Sequence, residues 1–96
     1  VNTLTARLVV IEVTLESFAR ELATLLRLDV GDKFDPEAGL FDDWGLDSLQ
    51  AFEMIIIVES MAGCLVPPAV IPELLTVGDA YGYYLALVER GPRVEG

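Results

Sequence analysis

The chain has 96 residues, sixteen acids against six bases for a net charge of −10, and 53% apolar residues. That size fits one domain over residues 1–96, with a folded core over roughly 14–90, and the apolar content argues against a disordered chain. The charge argues against nucleic acid, whose binding relies on lysine and arginine neutralising phosphates; it either favours partners with basic patches or only keeps an apolar domain soluble, and taken alone it does not choose between the two.

Membrane and secretory roles are also disfavoured. No apolar run approaches the ~18 residues that cross a bilayer. Leu8-Val9-Val10-Ile11 is cut short by Glu12 and preceded by one charge, Arg7, which makes a poor secretory signal. A single cysteine, Cys64, excludes an internal disulfide and suits a reducing compartment. The expectation is a soluble, cytoplasmic monomer.

Leu15, Phe18, Leu22, Leu25 and Leu26 recur at helical spacing and predict a first helix from near Thr14 to Leu28. A backward extension to Thr5 is open, although Val9-Val10-Ile11 lowers helical preference there. Residues 29–47 read as a loop with seven acids, one base (Lys33), and Gly31, Pro36, Gly39 and Gly45. Such length is uncommon unless it carries function. Phe34, Leu40, Phe41, Trp44 and Leu46 are expected to pin it to the core. Asp47, with Gln50 three residues on, marks the N-cap of a second helix from Ser48 to about Cys64, with Gly63 as terminator. Pro67, Pro68 and Pro72 permit a short helical turn at most. A last helix begins after Thr76, with Asp79 at its third position and Val77, Ala80, Tyr81, Tyr84 and Val88 on one face. Gly78 and Gly82 weaken it, so packing must hold it. The tail, residues 91–96, is expected to be loose. The fold class is all-α.

On a helical wheel the second helix has two apolar faces. Ala51, Met54, Ile55, Val58 and Ala62 form a core stripe. Leu49, Phe52, Ile56 and Ser60, with Glu53 among them, lie opposite. So short a chain cannot bury both, so the second face either meets another protein or lies beneath the loop. The partner reading is preferred.

Ser48 opens the second helix with its hydroxyl pointing outward. A phosphodiester there would face unpaired backbone N–H groups and the positive end of the helix dipole. Position alone favours ordinary capping, for which Asp-Ser at a helix start needs no further role. A catalytic serine is disfavoured. The chain has no histidine, one lysine, and Gly-Leu-Asp-Ser-Leu in place of a nucleophile elbow. Zinc lacks ligands. Asp29, Asp32, Asp35 and Glu37 depart from the calcium-loop pattern and read as a solvated acidic loop. Cys64, at the helix's negative end, reads as inert. No catalytic residue and no metal ligand is assigned.

The segment Asp43-Trp44-Gly45-Leu46-Asp47-Ser48-Leu49 resembles the attachment motif of acyl and peptidyl carrier proteins. Counted from Ser48, the resemblance extends over roughly Leu15 to Val88. It takes in the first helix, the acidic loop, the second helix, Val66-Pro67 and Leu75-Thr76-Val77. It implies a four-helix carrier bundle with a long loop between helices one and two and a short third helix. It further implies that a phosphopantetheinyl transferase, using magnesium, moves 4′-phosphopantetheine from coenzyme A to Ser48. Asp47 and Leu49 would flank that site, with Asp47 helping to position metal and cofactor. Leu49, Phe52, Glu53, Ile56 and Glu59 would be read by partner enzymes: an acyl- or aminoacyl-loading ligase, then synthase or tailoring enzymes. The cofactor supplies the reactive thiol, which explains the want of catalytic machinery.

The second helix is poorer in acids than in carriers of fatty-acid synthesis, and Pro68-Ala69-Val70-Ile71-Pro72 replaces an acidic third helix. The preferred expectation is therefore a stand-alone carrier for polyketide, nonribosomal peptide or other specialised biosynthesis. Fatty-acid synthesis and an unmodified helical interaction module are the alternatives.

Overall fold

Thr14 opens the first helix with a reciprocal cap. Its Oγ1 accepts the Ser17 N–H at 3.1 Å, and the Ser17 Oγ accepts the Thr14 N–H at 3.0 Å. In the computed structural model, which describes residues 13–90, helix α1 then spans Leu15–Leu25. Phe18, Ala19, Leu22 and Ala23 bury one stripe of it. On the outer side Glu16 and Arg20 pair at 2.7 Å one turn apart, a contact worth about 0.3–0.5 kcal/mol at such exposure.

The helix stops short of the expected Leu28. Arg27 turns left-handed at φ 61°, and the N–H groups of Arg27 and Leu28 fold back on the carbonyls of Thr24 (3.0 Å) and Ala23 (2.9 Å). This ending satisfies two carbonyls that would otherwise be orphaned. Glycine usually occupies its left-handed position, and without one the sequence carries no stop signal. The possible extension to Thr5 and the tail at 91–96 lie outside the described residues.

The long loop is stitched down along its length. Val30, Ala38, Leu40, Trp44 and Leu46 are buried, while Phe34 and Phe41 pack half-buried against the core. The Trp44 indole donates to the Lys33 carbonyl at 2.9 Å, which lets its polar edge enter the interior at little cost. The loop also grips the start of the last helix. Leu40 N donates to Leu75 O (2.8 Å), Val77 N to Ala38 O (2.9 Å) and Gly78 N to Pro36 O (2.9 Å), around a single antiparallel bridge between Gly39 and Thr76.

Helix α2 spans Ser48–Ala62, from the Asp47 cap to Gly63, which is left-handed at φ 74°. Ala51, Met54, Ile55 and Val58 are buried and Ala62 is half-buried, following the expected stripe. A 3₁₀ helix, η1, covers Pro68–Glu73, and helix α3 covers Val77–Arg90. At the start of α3 the Asp79 carboxylate accepts the N–H groups of Leu75 (3.0 Å) and Thr76 (3.1 Å), while Thr76 Oγ1 accepts that of Asp79.

The inner face of α3 is Val77, Ala80, Tyr84 and Leu87, with Tyr81 half-buried. Val88, expected on that face, is 40% exposed, and Leu87 takes its place. The rotation is fixed from outside the helix. Phe18 packs on Tyr81 and Tyr84 at 5.4 and 5.2 Å between ring centres, and the Tyr81 hydroxyl donates to the Val13 carbonyl at 2.6 Å. The core joins α1, the loop, α2 and α3 through Phe18, Leu22, Leu40, Met54, Val58 and Val77. The described residues thus form an all-helical, four-element bundle.

Candidate functional site

Ser48 is carried by a short, firmly seated run. Gly45 takes φ 77°, a conformation open to glycine. Leu46 is buried beyond it, with its N–H on the Leu40 carbonyl at 3.1 Å. Asp47 is extended and caps α2: its Oδ1 accepts the Gln50 N–H at 2.8 Å, and Gln50 Oε1 accepts the Asp47 N–H at 3.1 Å. Ser48 follows as the first helical residue, exposed to solvent.

The cap satisfies the Gln50 N–H and leaves those of Ser48 and Leu49 without an acceptor among the described residues. A phosphate on the Ser48 oxygen would lie against these donors and the positive helix end. Beside the hydroxyl opens an apolar groove of about 330 Å³, lined by Phe41, Ser48, Ala51, Phe52, Pro68, Ile71 and Pro72. An exposed nucleophile, a receptor for a phosphodiester and an adjoining apolar trough fit a phosphate-linked arm bearing apolar cargo.

Leu49, Phe52 and Ile56 stand on the outer side of α2, 68%, 49% and 62% exposed, with Glu53 exposed among them. The long loop does not cover them, so the loop-cover alternative is excluded. Glu59 differs from this group. It is half-buried, and its Oε2 accepts the Val66 N–H at 2.8 Å, bracing the turn from α2 into η1. Asp29, from the acidic loop, accepts the Gly31 N–H at 3.3 Å. Among the described residues no three His, Cys, Asp or Glu side chains converge as a metal site. No helix of the described residues is long and apolar enough to cross a membrane.

Sequence reasoning missed the far wall of the groove, Pro68, Ile71 and Pro72. Its signal was the proline-spaced apolar run itself, which only the fold brings opposite Ser48.

An outward serine on a capped helix, set over an apolar trough in a four-element helical bundle, defines the class of phosphopantetheine-bearing carrier domains. The chain belongs to the phosphopantetheine attachment site family, whose model matches residues 16–84. It is 39% identical over 49 residues to the acyl carrier proteins of Bradyrhizobium sp. (strain ORS 278), Rhodopseudomonas palustris (strain TIE-1) and Nitrobacter hamburgensis (strain DSM 10229 / NCIMB 13809 / X14). The matched stretch is 51% of this chain and spans 62% of the length of these relatives. Family membership implies a covalently attached 4′-phosphopantetheine.

Proposed function

We propose that the chain is a non-catalytic carrier domain that holds acyl or aminoacyl intermediates as thioesters on a 4′-phosphopantetheine arm at Ser48. The observation that carries this is the Ser48 hydroxyl, exposed at the head of α2 and at the mouth of the apolar groove. In loading, the Ser48 oxygen gives up its proton and bonds to the β-phosphorus of coenzyme A, and 3′,5′-adenosine diphosphate leaves. The Asp47 carboxylate, held by the Gln50 N–H, is oriented to assist the magnesium ion of that reaction. The backbone donors at Ser48 and Leu49 receive the resulting phosphodiester.

Partners are a phosphopantetheinyl transferase, a loading ligase, and the synthase or tailoring enzymes that consume the cargo. Leu49, Phe52, Glu53 and Ile56 form the surface they share, with Glu59 acting through the turn it braces. The apolar wall at Pro68–Glu73 supports contact by apolar surface, which favours specialised polyketide or nonribosomal peptide chemistry over fatty-acid synthesis. The working unit is a cytoplasmic monomer.

The test is intact mass after incubation with coenzyme A, magnesium and a broad-specificity transferase. A gain of one phosphopantetheinyl unit is expected, absent in Ser48→Ala. A folded sample that gains nothing points instead to an unmodified interaction module.

A further inference from the structure

Arg27 ends α1 in a left-handed conformation, φ 61°, which glycine adopts freely and residues bearing a Cβ do not. The chain keeps a strained residue at a position where a more stable one is available, and such strain gathers at functional sites. An independent observation lies beside it. Arg27 lines an open groove of about 250 Å³ between the end of α1 and the outer side of α2, with Leu25, Leu26, Glu53, Ile56 and Ile57. Leu25 and Ile56 are 51% and 62% exposed, so the groove continues the apolar face of Leu49, Phe52 and Ile56. Among the described residues the one ion pair joins Glu16 to Arg20, so the Arg27 guanidinium has no carboxylate partner although Glu53 lines the same groove. On a chain of net charge −10 it sets an unpaired cation beside Glu53 in this groove.

We infer that this groove is a second docking point for the phosphopantetheinyl transferase, which sets an aliphatic side chain between Leu25 and Ile56 and a carboxylate against Arg27. The inference rests on the carrier reading of Ser48. The transferase is singled out because it alone meets the bare hydroxyl and must bring its active site onto the head of α2. Later enzymes act at the end of the arm, so the Ser48 oxygen does not fix where they sit on the shared face. Ile56 lies eight residues beyond Ser48, about 12 Å along the helix. A standard interface covers about 800 Å² per partner, a disc of roughly 16 Å radius. A transferase seated over Ser48 therefore reaches the groove, where a carboxylate would meet the Arg27 guanidinium that has no acidic partner among the described residues.

The experiment uses the full chain, coenzyme A, magnesium and the transferase of the producing organism. Loading rates are followed by intact mass, and thermal unfolding is recorded for each variant. Arg27→Gly is expected to melt higher than wild type yet raise KM for the carrier about fivefold with kcat unchanged, the size of one surface charge pair. Arg27→Glu is expected to raise KM about tenfold, and Arg27→Lys to stay near wild type. With carbodiimide, the Arg27→Lys chain is expected to form a zero-length crosslink from position 27 to an aspartate or glutamate of the transferase. A KM for Arg27→Glu within twofold of wild type overturns the inference, as does a crosslink from position 27 only to Glu53 of its own chain. A lower melting temperature for Arg27→Gly overturns the strain argument. Wild-type chain that gains no arm at all defeats the carrier reading itself, a result read from mass rather than from KM.

Discussion

Gly78→Ala and Gly82→Ala are the same chemical change one turn apart on α3, and they are expected to move stability in opposite directions. A Cβ built at Gly82 meets nothing within 4 Å, so alanine there adds helix propensity worth about 1 kcal/mol. A Cβ at Gly78 would stand 2.9 Å from the Pro36 carbonyl oxygen and 3.0 Å from the Pro36 Cβ. These are atoms of the loop, and the same carbonyl accepts the Gly78 N–H at 2.9 Å. Alanine must push the loop off the helix, costing about 1–3 kcal/mol of packing strain and up to about 1 kcal/mol of hydrogen bonding. At this chain length 1 kcal/mol moves the melting temperature by about 4–8 °C. Thermal unfolding followed by circular dichroism should therefore show Gly82→Ala raised by about 4–8 °C. Gly78→Ala, with the same propensity gain set against the strain, should be lowered by about 6–12 °C at the middle of these ranges. Equal rises for both would refute the claim that the loop presses on the head of α3.

The cap at Asp47 separates structure from loading: Asp47→Ala should lose about 1 kcal/mol of stability, whereas Asp47→Asn should keep it and still slow magnesium-dependent loading, as read by melting and by intact-mass kinetics. Glu59→Ala should destabilise by about 1–2 kcal/mol by leaving the part-buried Val66 N–H unpaired, with Glu59→Gln largely rescuing it in the same denaturant titration. Phe52→Glu and Ile56→Glu alter exposed side chains. They should leave stability within about 0.5 kcal/mol while impairing transfer of cargo to a partner enzyme, and a collapsed melt would show that face to be core.

The limits of α2 were legible because both signals are local: an acid followed by glutamine at the start, and a left-handed glycine at the end. The loop anchors were legible because large apolar residues among many acids have no other place to go. α1 ran long in the reading because Arg27, not glycine, makes its left-handed turn. The phase of α3 slipped by one residue at Val88. Apolar residues surround that helix, and the choice among them is made by Phe18 on α1 and by the Val13 carbonyl. For the candidate site, the exposed place of Ser48 at the head of α2 and its capping neighbour could be read directly. The groove could not, since Phe41, Pro68 and Ile71 meet only through the tertiary fold. Nor could the inward turn of Glu59, whose partner is a backbone N–H seven residues on.

The bridge between Gly39 and Thr76 also decides how the trough beside Ser48 would open. It welds the loop that carries Phe41 to the lead into α3, making one bank of the trough rigid. The opposite bank is Pro68–Glu73, which buries no residue and has no side-chain cap. Bulky cargo would thus be accommodated by that bank bowing outward between its two buried ends, Val66 and Leu74. Amide exchange should then quicken at Val70 and Leu74 while Leu40 and Val77 keep their protection.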